Sequence, residues 1–102
     1  MEKQRLFKMS ALERDILAKV LDDTQKDFQP AQAEKMRALR DKTRQAPKCR
    51  LYLDDGEFDC AVQALNAIRS KFLSEGKSST CFDRVLLMLL NCRYRRVPAQ
   101  YR

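Results

Sequence analysis

The side chains in this chain most able to do chemistry are cationic. Arg37, Arg40 and Arg44 recur three and four residues apart, so on a helix turning ~100° per residue they share one ridge. Three guanidiniums in a row could hold phosphate oxygens bidentately. A second group, Arg93, Tyr94, Arg95 and Arg96, joins charge to a ring that could stack on an unpaired base. Each group also has a plainer reading. Glu34 and Asp41 offer the first group intrahelical partners, and basic residues after a helix simply complement its dipole.

Charge distribution favours the binding reading. Residues 1–29 carry six basic and six acidic side chains, whereas residues 30–50 carry seven and two. Residues 51–76 reverse the sign with two and five, and residues 77–102 return to six and one. Two basic blocks therefore flank an acidic one, and a polyanion is the partner that such blocks suit, because clustered Lys and Arg displace counterions from phosphates.

Other chemistries are poorly served. Asp54, Asp55, Glu57 and Asp59 lack the alternating spacing of a calcium loop, and capping of a following helix accounts for them. A weaker use for this block is to face the basic surface of a second copy. Cys49, Cys60, Cys81 and Cys92 lie 11, 21 and 11 residues apart and the chain has no histidine, which is not the ligand pattern of a zinc site. Reduced thiols are expected. Cys60 falls opposite the apolar stripe of its helix and reads as exposed; Cys81 and Cys92 read as members of an apolar arc. With no phosphate-cradling glycine loop, nucleophile elbow or unexplained acid pair, no catalytic residue, metal or cofactor is expected.

The elements that must position the arginines follow from periodicity. The chain has 102 residues, 44% hydrophobic and 34% charged, with a net charge of +7, enough for one domain with one core. Its longest apolar run, residues 85–90, is far short of the ~20 residues of a membrane span. Nor do the first residues lead into a signal-peptide core, so a cytoplasmic location is expected. Ser10 and Glu13 form a capping box, followed by an apolar face of Leu12, Ile16, Leu17, Val20 and Leu21. Pro30 suits the first position of a second helix, whose narrow stripe of Met36, Leu39 and Thr43 predicts a peripheral place. Residues 49–53 alternate like a short strand, needing a partner in the N-terminal arm, the C-terminal tail or another copy.

Asp54 and Glu57 cap a third helix carrying Phe58, Ala61, Val62, Leu65, Ile68 and Phe72, with Gly76 as its stop signal. Helix four, with Phe82, Val85, Leu86, Leu87, Met88, Leu89 and Leu90, is apolar over more than half its circumference. That composition predicts a helix in the middle of the core or at a subunit interface. It also makes helix four a poor recognition helix for a helix-turn-helix, which needs a polar face in the groove.

The fold class expected from these elements is all-α: a compact bundle of about four helices around a central C-terminal helix, with at most one short strand. The single domain spans residues 1–102, with residues 1–9 as an arm and 97–102 as a flexible basic tail. A homodimer is expected from the apolar surplus of helix four.

Between residues 53 and 96, the segment Ala64-Leu65-Asn66-Ala67-Ile68-Arg69, the turn Glu75-Gly76-Lys77 and the leucine-rich helix closing on arginines resemble small uncharacterised helical proteins of phages and bacterial mobile elements. The resemblance implies an accessory protein that acts on host or element machinery and brings no functional residue with it. The expected function is non-enzymatic binding of DNA or RNA, or of a nucleic-acid-handling complex, with Arg37, Arg40, Arg44, Arg93, Arg95, Arg96 and Tyr94 at the interface. The rival expectation is a protein that inhibits or adapts a host protein through protein–protein contacts.

Overall fold

Two helices open with the same reciprocal device. The Ser10 hydroxyl accepts from the Glu13 N–H while the Glu13 carboxylate accepts from the Ser10 N–H, and Asp54 and Glu57 repeat the arrangement. Each box satisfies two backbone donors that a helix start leaves orphaned. In the computed structural model, which describes residues 3–98, these boxes begin α1 (Ala11–Thr24) and α3 (Asp55–Ser74). Between them α2 (Pro30–Arg44) starts on Pro30 at its first turn, where a missing N–H costs nothing. After α3, residues in a Schellman arrangement close the helix: Lys77 N–H donates to Phe72 O and Gly76 N–H to Leu73 O, with Gly76 at φ +72°. The turn leads into α4 (Thr80–Leu90).

The remaining segments are strands. β1 (Lys3–Lys8), β2 (Arg50–Leu53) and β3 (Arg93–Arg96) form an antiparallel sheet in the order β2-β1-β3. This corrects the all-α expectation: the molecule is mostly helical, but its class is α+β. The short strand expected at residues 49–53 is present as β2; the N-terminal arm supplies its one neighbour, and the C-terminal segment adds a third strand on the far side of that arm. The N-terminal arm becomes the middle strand and the start of the C-terminal segment becomes an edge. Four- to six-residue strands rich in Lys and Arg carry almost no period-two signal, and only their long-range pairing stabilises them. Entry into β2 is tight. Lys48 and Cys49 both take positive φ, a region that disfavours L side chains, and the Met9 N–H donates to the Cys49 carbonyl.

Alternation along β1 sends Phe7 into the core at 1% exposure, where it joins Leu51, Leu53, Leu17, Leu21 and Leu65. The expected stripe of α2 is buried: Met36, Leu39 and Thr43. The place given to α4 needs correcting. It packs one face on α3, through an edge-to-face contact of Phe72 and Phe82 with centroids 4.8 Å apart and an Arg69–Asp83 ion pair. Within it only Val85 and Leu89 are buried, while Leu87 is 62% and Leu90 50% exposed. The middle of the bundle belongs to α1 and α3, each of which contacts the other three helices. Leu12, expected on the apolar face of α1, is 68% exposed.

Residues 99–102 of the expected tail lie outside the described residues, and Val97, where it was to begin, is buried. Among the described residues no helix is long and apolar enough to cross a membrane.

Leu89→Ala should destabilise the protein by about 3 kcal/mol through an unfilled cavity, and Leu87→Ser should change stability by no more than about 0.5 kcal/mol. Urea unfolding followed by circular dichroism measures both. Comparable losses at the two positions would mean that α4 is enclosed after all.

Candidate nucleic-acid interface

Successive residues of a strand point to opposite faces, and directly paired residues share a face. Applied to the register, this rule sorts every cation of the sheet. Phe7 pairs with Leu51 and Arg5 with both Leu53 and Tyr94; these residues look toward α3 and the core. The opposite, outer face carries Lys8 paired with Arg50, Leu6 between Tyr52 and Arg93, and Gln4 paired with Arg95. Lys8, Arg50, Arg93 and Arg95 are all exposed. None of the four has a carboxylate within ion-pair distance among the described residues. Tyr52 shares this face but is only 6% exposed, so its ring is not open to stacking.

The expected site residues therefore separate. Arg93 and Arg95 stand together on the outer face. Arg96, paired with Lys3, falls on the opposite one. Tyr94 is committed to the fold: its hydroxyl donates to Asp55 Oδ1 at 2.8 Å, and the Arg5 guanidinium lies between its ring, at 4.7 Å, and that of Phe58, at 4.0 Å. The Asp55 carboxylate accepts this hydrogen bond from the neutral phenol and so raises the Tyr94 pKa.

On α2 the arginine ridge turns toward α1. Arg40 is ion-paired with Asp22 and Asp41, hydrogen bonds that raise its pKa further, and Arg37 Nη1 donates to Gln25 Oε1 at 3.2 Å. Asp22 lies eleven residues into α1 from its first residue, about 16 Å along the axis from the β1 end. These two arginines thus belong to the α1–α2 seam, and only Arg44 of the three is exposed without such a tie. Lys8 and Arg50 were missed by sequence reasoning. The signal that could have found them was present, because pairing the alternating segment at residues 49–53 with the N-terminal arm would have set Arg50 against that arm.

The acidic block is consumed internally. Asp54 and Glu57 cap α3, Asp55 holds Tyr94, and Glu57 also accepts two hydrogen bonds from Lys42 Nζ at 2.9 Å. No group of His, Cys, Asp or Glu among the described residues could hold a metal ion. Cys60, expected to be exposed, is 3% exposed, because α2 packs over that side of α3; burial raises its pKa. Cys81, expected in an apolar arc, is exposed, and Cys92 is partly buried.

The sequence matches no family model, and comparison with curated proteins and with solved structures found no significant similarity.

Burial pushes the Cys92 thiol up to about 11 from 9.0, leaving about a hundredfold less thiolate at neutral pH than in an ordinary cysteine. Iodoacetamide at pH 8 should therefore label Cys81 well before Cys92 and Cys60 in the folded protein. The Cys92 rate should continue rising from pH 9 toward 11. Equal labelling of Cys81 and Cys92 in a mass-spectrometric time course would contradict this placement.

Proposed function

We propose that this protein binds nucleic acid through the outer face of its sheet, as a non-enzymatic accessory or regulatory factor. The observation that carries the reading is the register, which gathers Lys8, Arg50, Arg93 and Arg95 on one face with no ion-paired carboxylate among the described residues. Like charges directly opposite, as at Lys8 and Arg50, destabilise a sheet; a phosphate chain laid across them relieves that repulsion and releases counterions. The two basic blocks of the sequence do supply this face together, Arg50 from one and Arg93 and Arg95 from the other, with Lys8 added by the central strand. An accessory role fits the resemblance to phage and mobile-element proteins, and four free thiols fit a reducing compartment such as the cytoplasm.

A second reading rests on the outer side of α4, where Leu87 and Leu90 stand exposed. These side chains suit an apolar partner surface, either another protein or a second copy of this chain. A stoichiometric partner that survives nuclease and moderate salt in a pull-down would favour it, and size-exclusion chromatography with light scattering would distinguish the second copy.

Fluorescence anisotropy with a labelled mixed-sequence oligonucleotide tests the first reading. Affinity should fall steeply between ~50 and ~200 mM salt, and Arg50→Ala or Arg95→Ala should each reduce the slope of log K against log salt by about 0.7–0.9. Arg40→Ala, whose guanidinium is already ion-paired, should leave that slope unchanged. Absence of binding in dilute buffer, or a larger loss from Arg40→Ala than from the sheet variants, would end the proposal.

A further inference from the structure

At the end where β3 leaves α4, the outer face opens into a depression of about 410 Å³, within the ~300–1,000 Å³ range of small-molecule sites. Its rim and floor differ in kind. Lys8, Arg93 and Arg95 border it, while Leu6 and Met88 supply a partly exposed apolar floor and Asn91 an exposed amide. The Asn91 side chain makes no hydrogen bond among the described residues. Asn91 also caps the C-terminus of α4, the negative end of the helix dipole, which favours N–H donors over a further phosphate at that spot.

We infer that this depression takes the base of an unpaired nucleotide, so that the nucleic acid is single-stranded where it crosses the sheet. The inference rests on the nucleic-acid reading above and adds to it a recognised feature other than charge. Phosphates lie along the cationic rim, the base plane covers Leu6 and Met88, and the Asn91 amide meets the polar edge of the base. In a duplex the bases are stacked and paired inside the helix, and none reaches the depression unless it is flipped out. The sheet has no open aromatic platform either, since Tyr52 is buried and Tyr94 is engaged by Asp55 and Arg5. Among the described residues of the sheet, recognition of the base therefore falls to this depression.

The test compares two single-stranded DNA probes of ten nucleotides, one of mixed sequence and one abasic throughout. They carry equal length and backbone charge, so a surface that contacts phosphates alone binds them equally. The full-length chain should bind the mixed probe about fivefold more tightly, and Asn91→Ala, checked for an unchanged circular dichroism spectrum, should remove most of that preference without weakening abasic binding. A Leu6→Ser variant serves as a second probe of the floor and should narrow the preference likewise. Equal affinity of the wild type for both probes overturns the base-binding inference while leaving the cationic face intact. Failure to bind either probe in dilute buffer overturns the nucleic-acid reading itself.

Discussion

The structure depends on β1 occupying the middle of the sheet. A strand with neighbours on both sides has its backbone donors and acceptors satisfied along both edges, and it fixes which side chains of those neighbours share a face. A slip of one residue along β1 would bring Lys8 and Leu6 to the core and expel Phe7 and Arg5. Burial of Phe7 against Leu51 prevents that slip. The same constraint that keeps Phe7 inside thus pushes Lys8, Arg50, Arg93 and Arg95 out together. Charge crowding on the outer face is a consequence of register, and register is a consequence of burying one phenyl ring.

The edge strand β3 gains little from burial, since all four of its residues are exposed. What holds it is a local polar assembly at the start of α3. Arg5 stacks between Phe58 and Tyr94, contacts of a kind worth about 0.5–2 kcal/mol each, and Tyr94 reaches Asp55. Next to it, Lys42 bridges the Tyr52 carbonyl and Glu57, tying α2 to β2 and to the cap of α3. The acidic block of the sequence therefore serves the fold: Asp55 and Glu57 tie β3 and α2 to the start of α3. That use leaves the basic residues of the outer face without ion-pair partners among the described residues.

Helix boundaries were legible in the sequence because their causes are local. Ser10 with Glu13, Asp54 with Glu57, Pro30 and Gly76 each act within one turn, through hydrogen bonds or a backbone angle that neighbouring residues supply. The stripe of α2 was legible for the same reason. The sheet was legible only at β2, and the cationic outer face only in part. Arg93 and Arg95 stand out by their density, whereas Lys8 and Arg50 are single cations placed on that face by strands 42 residues or more away in the chain. For Arg37 and Arg40 the helical ridge does not reveal which neighbour it faces, and here that neighbour is the end of α1, with Asp22 and Gln25.

By itself the amino-acid order determined where the first three helices start and where the third stops, and that positive charge comes in two blocks. Those properties follow from interactions spanning a few residues or from composition alone. Tertiary structure decided that Lys3–Lys8 and Arg93–Arg96 become strands, that α1 and α3 rather than the more apolar α4 form the middle of the bundle, and which of the described cations have no ion-pair partner. Such choices depend on closing loops of tens of residues, whose entropic cost is repaid only when Phe7, Leu51, Leu53 and the helices above them are buried at once.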